Sequence, residues 1–323
     1  MTGERRGPRR PAGKAGLVFG ADLGGTKLRA AIADAAGTVL AELVEPTVHG
    51  PGSAIVAQVA AARATLETRA GAAPGQVRAA GVGLPLAVDP RTGESWSFHN
   101  LPGLGGLAAG DVFRRALGIP AALDNDGNCA ALGEGRAGAA AGVTDYAVIV
   151  IGTGIGCGIV AGGRLLRGAH GGAGEIAFLP LGSDPWDARN RTLGAYETVV
   201  AGPAIRARIA AAVASGRPTV LAGGAGLAEV ASAARGGDPA ARRLLDEEAR
   251  FVALGIAAVA AVVDPDLVVL SGGVGAVADL LEPVRAHVAT LSSRPPRVVT
   301  GLLGERAPLV GALELARDLA RLA

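Results

Sequence analysis

The sequence predicts an α/β protein built as two similar lobes that face each other across a cleft. Three observations carry that prediction. A strand–glycine turn–strand–turn–strand unit occurs twice, about 130 residues apart, and helical periodicity fills the chain between and after the two copies. The chain has 323 residues, half of them hydrophobic, enough for two ordinary domains with a sizeable buried core.

The first unit starts with the apolar run Leu17–Asp22, which enters Gly24-Gly25-Thr26. Leu28–Ala33 follows, then the turn Asp34-Ala35-Ala36-Gly37 and a third run, Thr38–Leu43, giving an antiparallel meander. A helix is predicted over about Ser53–Ala70 and a strand over Val77–Gly83. The second unit comprises Tyr146–Ile151, the turn Gly152-Thr153-Gly154, Ile155–Val160, the turn Ala161-Gly162-Gly163-Arg164, and a strand starting at Leu165-Leu166. Further helices are predicted over about Asn128–Ala140, Tyr196–Ser215, Leu227–Ala233 and Pro239–Val263. Asp264-Pro265 stops the last of these, because proline and the residue before it both resist helical continuation. A strand, Leu267–Leu270, then enters Ser271-Gly272-Gly273-Val274-Gly275, a helix opens at about Ala276, and Leu309–Leu322 forms the final helix. The expected organisation is a basic tail over residues 1–16, an N-terminal lobe over 17–122 and a C-terminal lobe over 123–308. Helix 309–323 is expected to pack back on the first lobe.

Composition excludes several classes. Charged residues at 19% and a mean hydropathy of +0.37 are incompatible with a disordered chain. No stretch reaches the roughly 18 uninterrupted apolar residues of a membrane span. Aromatic residues, at 3%, are too few for the stacking platforms of single-strand nucleic-acid binders. The basic pI of 8.8 belongs to the tail. There Arg5, Arg6, Arg9, Arg10 and Lys14 stand against Glu4, a net of +4 that leaves the rest of the chain at −2. No apolar segment follows those arginines, so the tail is not a secretory signal. Two cysteines, Cys129 and Cys157, are too few for a disulfide framework or a cysteine-rich zinc site. The expected setting is the reducing cytoplasm, with neither nucleic acid nor membrane as a partner.

Candidate sites cluster at the turns. Glycines in Asp22-Leu23-Gly24-Gly25-Thr26-Lys27 let the backbone approach a phosphate, and consecutive N–H groups attract an anion. Asp22 is placed to hold a hydrated magnesium ion. The alternative is an ordinary glycine-rich hairpin. Gly152-Thr153-Gly154-Ile155-Gly156 is the counterpart in the second half. It leads into a strand, whereas a dinucleotide fingerprint opens a helix. Two such turns can clamp a polyphosphate from both sides. Ser271-Gly272-Gly273-Val274-Gly275 does open a helix, but under 50 residues follow it, so a nucleotide contact fits better than a dinucleotide domain.

Asp124-Asn125-Asp126-Gly127-Asn128 precedes a helix, where Asp126 would serve as an N-cap. Three acidic or amide groups in succession exceed what capping requires, and a carboxylate there can accept a hydroxyl proton. Glu175 sits in a glycine-rich segment, Glu197 opens a helix, and His99-Asn100 is a polar pair in a loop; each also reads as a solvated residue. His49 and His287 have no such context and read as surface or satisfied histidines.

Taken together, the chain from about Leu17 onward resembles the ROK family, specifically its glucokinase-like sugar kinases. The resemblance is carried by Asp22-Leu-Gly-Gly-Thr-Lys27, Asn100-Leu-Pro-Gly103, Asp124-Asn-Asp-Gly-Asn128 and Ala130-Ala-Leu-Gly-Glu134. Gly152-Thr-Gly-Ile-Gly156, Ala173-Gly-Glu-Ile176 and Ser271-Gly-Gly273 complete the set. It implies an actin-like, ribonuclease-H-like duplicated fold whose lobes close on sugar and ATP·Mg²⁺, acting as a hexose 6-kinase. It also implies Asp126 as general base toward the 6-hydroxyl and Asn100, Asn125, Glu175 and Glu197 as sugar ligands. Asp22, Gly24, Gly25, Thr26 and Lys27 become the first phosphate site, Thr153 and Gly154 the second, Gly272 and Gly273 the adenosine site. A homodimer or homotetramer is implied as well.

The sequence departs from the family over one stretch, residues 177–195. The histidine after Gly-Glu-x-Gly is replaced by Phe178, and the last cysteine of the family's zinc element by Ala195, with no other cysteine between. No structural zinc is therefore expected, and the sugar shell is altered. An amino-sugar kinase acting on kanosamine or an N-acetylhexosamine is the main alternative. A repressor would need a helix-turn-helix ahead of the sugar domain, and 16 residues are too few. A non-catalytic sugar-binding protein and a nicotinamide-dependent oxidoreductase are the remaining readings.

Overall fold

A computed structural model describes residues 16–97, 101–216 and 218–322. Residues 1–15 of the basic tail, and the expected site residue Asn100, lie outside the described residues. The first half contains β1 (Leu17–Leu23), β2 (Lys27–Ala33), β3 (Val39–Pro46), α1 (Gly52–Arg69), β4 (Val77–Leu84), β5 (Leu86–Val88), β6 (Ser95–Ser97), α2 (Ala109–Leu117) and β7 (Ala121–Asn125). Its main sheet has the order β3-β2-β1-β4-β7. The first three strands are antiparallel, and β4 and β7 continue parallel to β1. Helix α3 (Asp126–Ala137) leads into the second half.

That half contains β8 (Tyr146–Ile151), β9 (Ile155–Ala161), β10 (Arg164–Leu165), α4 (Ala188–Leu193), α5 (Glu197–Val200), α6 (Gly202–Ala214), α7 (Leu227–Arg235) and α8 (Pro239–Val263). It closes with β11 (Leu267–Ser271), α9 (Gly272–Gly275), α10 (Ala278–Leu291), β12 (Arg297–Thr300) and α11 (Ala307–Leu322). The sheet order is β10-β9-β8-β11-β12, with the same mixture of antiparallel and parallel pairs. The two sheets therefore repeat one topology, as the duplicated two-lobe fold requires.

Each sheet has its own core. Phe19, Leu23, Ile32, Val82 and Phe113 are buried around the first sheet with α1 and α2. Ile149, Tyr196, Ile205, Val252 and Ile256 are buried around the second with α6 to α8. Helices α3 and α11 pack on each other, α11 also against β1 and β4 and α3 against β8 and β9. Glycines permit the helix–helix approach: a Cβ on Gly311 would lie 1.8 Å from the Cys129 carbonyl oxygen, and one on Gly133 2.2 Å from that of Ala307.

Three expectations need correction. The division expected between residues 122 and 123 runs through β7, which is paired with β4 along its length. The helix expected from Asn128 begins at Asp126, because Asn125 is extended and its side chain accepts from the N–H groups of Gly127 and Asn128. The helix expected over Tyr196–Ser215 is interrupted at Ala201, where the backbone is extended. Pro203 has no N–H for the Val199 carbonyl, which accepts from the Arg208 guanidinium instead.

Candidate active site

The ends of β1, β7, β8 and β11 and the segment before α5 carry the residues singled out above, and the fold brings most of them to one place. A cavity of about 680 Å³ is lined by Gly25, Thr26, Asn125, Asp126, Thr153, Gly154, Glu175 and Glu197, with Phe178 and Leu193 as its apolar wall. A second cavity of about 530 Å³ is lined by Lys27, Ser271, Gly272 and Gly273, with apolar walls from Ile205, Leu227 and Val274. Gly152, Thr153 and Pro308 line both, so the two spaces adjoin at the second glycine turn. A larger groove of about 860 Å³ beside α7 is lined mainly by small and apolar side chains; it holds none of the predicted site residues and meets the second cavity at Glu229.

Local structure explains the placement. Asn125, not Asp126, is the cap of α3: its Oδ1 accepts from Gly127 N at 2.7 Å. Its Nδ2 donates to Glu175 Oε1 at 3.4 Å. Asp126 is thereby relieved of the capping role, although its Oδ1 accepts a 2.8 Å bond from Gly127 N. Glu197, the first residue of α5, accepts from Ile155 N at 2.9 Å and so buttresses the second glycine turn. That turn is also fixed by the 2.8 Å bond from Gly202 N, at the start of α6, to the Gly152 carbonyl. Gly272 has φ +81, and a Cβ there would meet the Ile151 carbonyl oxygen at 2.4 Å, so only glycine lets β11 pass this close to β8. Asp22 and Gly24 line neither cavity; the Gly24 carbonyl accepts from the Thr47 hydroxyl at 2.7 Å, which anchors the first turn. Lys27 Nζ is paired with Glu305 at 2.9 Å.

The electrostatics are those of crowded carboxylates. Burial raises Asp126 to about 6, with Glu197 adding to the rise. Glu175 is raised to about 7 by burial and by the charges of Asp126 and Glu197. Asp22 is raised to about 7, first by burial and then by Asp126, against the opposing pull of Arg29 and Lys27. Among the described residues no hydrogen bond reaches the Asp22 carboxylate. A lone hard oxygen donor, repelled by a neighbouring acid, suits a divalent cation that keeps most of its waters and takes its other ligands from phosphates. No group of three or more His, Cys, Asp or Glu side chains among the described residues is arranged to hold a metal by itself. Cys129 and Cys157 are buried and unbridged.

Several lining residues escape the sequence reading, Thr192, Leu193 and Pro308 among them. His49, read there as a surface or satisfied histidine, is exposed and also lines the acidic cavity. It lies in the irregular segment between β3 and α1, and only the folded backbone brings that segment to the cleft.

Known proteins show the same arrangement of chain. The model of the ROK family matches residues 18–319. The sequence is 31% identical to the glucokinase of Streptomyces coelicolor, over 94% of this chain and 98% of that protein. It is 32% identical to the N-acetylmannosamine kinase of Escherichia fergusonii, over 88% of this chain and 94% of that protein. The crystal structure of a ROK family glucokinase from Streptomyces griseus, in complex with glucose and AMPPNP, superposes with a TM-score of 0.77 at 30% identity. That match covers 94% of this chain and 100% of the other.

Proposed function

Since the chain belongs to the ROK family and is an ATP-dependent sugar kinase of the two-lobe actin-like fold, we propose that it transfers the γ-phosphate of ATP to the 6-hydroxyl of glucose or a close analogue. The observation that carries this reading is the place of Asp126. It stands in the acidic cavity beside the turn Gly152–Gly154, which the neighbouring cavity shares. A sugar in the first space presents its hydroxyl to a nucleotide lying in the second.

Asn125 Nδ2, Glu175 and Glu197 orient the sugar hydroxyls, a role that Asn100 would share. Asp126, at about 6, is ionised at neutral pH and accepts the 6-hydroxyl proton as the oxygen–phosphorus bond forms. Backbone N–H groups of the two glycine turns, the Thr153 hydroxyl and Lys27 take the phosphate oxygens, and Gly272 and Gly273 admit the adenosine. Asp22 would hold Mg²⁺, which would supply charge neutralisation of the phosphates. Positioning and charge neutralisation are most of what phosphoryl transfer needs.

An amino-sugar 6-kinase is the second reading, favoured by one observation. Asp126, Glu175 and Glu197 repel one another in a single cavity, and a sugar ammonium group would relieve that repulsion. ADP release with ATP·Mg²⁺, compared by kcat/KM over glucose, kanosamine, glucosamine, N-acetylglucosamine, N-acetylmannosamine, mannose and fructose, separates the two. Preference for glucose is expected. Preference for an amino sugar would replace the first reading with the second, and silence across the panel would remove both. The proposed setting is cytoplasmic, as a homodimer or homotetramer, without a structural zinc.

A further inference from the structure

The segment that carries Glu175 follows β10 of the second sheet, yet it is fastened to the first. Arg167 Nε donates to Asp124 Oδ2 at 2.7 Å. Asp124 lies on β7 and is buried, with its other oxygen accepting from Asn125 N at 3.0 Å and from Asn128 Nδ2 at 2.7 Å. Asn125 in turn donates to Glu175 at 3.4 Å, and Ala173 N donates back to the Arg167 carbonyl at 3.1 Å. These contacts close a ring: Arg167, Asp124, Asn125, Glu175, then along the chain to Ala173 and back to Arg167. The segment also docks at Gly171, whose φ is +78 and where a Cβ would lie 2.1 Å from the Val88 carbonyl oxygen on β5.

We propose that Arg167 is a positioning residue for the acceptor sugar, closing a ring across the cleft that holds Glu175 against Asn125 and Asp126. Arg167 lines neither cavity. Its effect passes through the buried Asp124 carboxylate, for which it is the one ion-pair partner among the described residues. Without the guanidinium the segment keeps only the long Asn125–Glu175 bond to β7, and Glu175 loses its fixed distance from Asp126. The inference rests on reading Glu175 as a sugar ligand.

Steady-state kinetics on the full chain, with the sugar the wild type prefers, test it. Arg167→Gln is expected to raise KM for the sugar by at least about tenfold while KM for ATP stays within about twofold, the signature of a misplaced ligand on one substrate only. Arg167→Lys, which keeps the charge, should recover part of the loss. In a Glu175→Gln background Arg167→Gln should add nothing, because both changes remove the same contact. Asp124→Asn/Arg167→Ala leaves no buried charge unpaired and still opens the ring, so it should give the same sugar-selective rise even if Arg167→Gln does not fold. Equal rises in both KM values, or additive effects of Arg167→Gln and Glu175→Gln, would overturn the proposal. If Glu175→Gln alone leaves the sugar KM unchanged, Glu175 is not a sugar ligand and the proposal falls with that reading. Additivity, by contrast, leaves Glu175 in place.

Discussion

Asp126 and Asn125 divide between them two tasks that look like one in the sequence. Both are good N-caps, and residue type alone does not say which one the helix uses. The extended backbone at Asn125 decides it, so the amide satisfies the helix and the carboxylate faces the cavity. Asp126→Asn should therefore leave sugar binding and folding intact while abolishing phosphoryl transfer. Sugar-induced protection in a thermal melt, together with ADP release, reads the two properties separately; near-normal turnover would remove Asp126 as the base. The wild type should show kcat/KM falling as pH drops through about 6, because burial raises Asp126 to that value and only its ionised form takes a proton. An acid limb at the ordinary carboxylate value would mean that the cleft is wetter than the burial implies. Phe178 lines the same space where the family carries a histidine, so the sugar panel reports on this residue as well.

Elements with strong local signals were legible in the sequence. Helix α8 runs over Pro239–Val263 as expected, since Asp238 caps it with bonds of 2.8 and 3.1 Å and Pro239 opens it. At the other end Asp264 turns left-handed ahead of Pro265. Strand β8 was legible for a similar reason, an apolar run bounded by a glycine turn. The interruption between α5 and α6 was not, because its apolar periodicity continues through Ala201 and the break depends on a single carbonyl that Pro203 cannot serve. The hairpin of β5 and β6, three residues each, is too short for periodicity to register. Of the cleft, the turns and carboxylates were legible as motifs, whereas His49 and the Arg167–Asp124 pair required residues far apart in sequence to meet.

Packing of α3 on α11 makes a separate prediction. Gly311→Ala should destabilise the protein by about 1–3 kcal/mol, despite the better helix propensity of alanine, because the added methyl meets backbone that cannot move aside. Chemical denaturation measures it, and an unchanged or raised midpoint would show that the two helices can separate.

For the molecule as a whole, burying several acids has a thermodynamic signature. Asp22, Asp126 and Glu175 are raised to about 7, 6 and 7, and Glu248, beside Arg208, to about 8. Between the ordinary carboxylate value near 4 and these values, the unfolded chain gives up protons that the folded chain keeps, so stability falls as pH rises from about 4 to about 7. The carboxylates held low, such as Asp89 and Asp238, act only below that window. Melting curves across pH 4–8 should show the fall, and Mg²⁺ with nucleotide should reduce it by neutralising Asp22; a stability maximum at neutral pH without ligands would contradict this. The repeated sheet carries a further consequence. Two sheets of one topology present similar glycine turns to a ligand, so the repeated frame by itself gives that ligand no preferred direction. Charge supplies one. The turn after β1 is flanked by Asp22 and Lys27, while Gly152-Thr153-Gly154 has no charged residue. A phosphate chain lying between the two turns would meet unlike ends and take one polarity, so a repeated frame gains a front and a back.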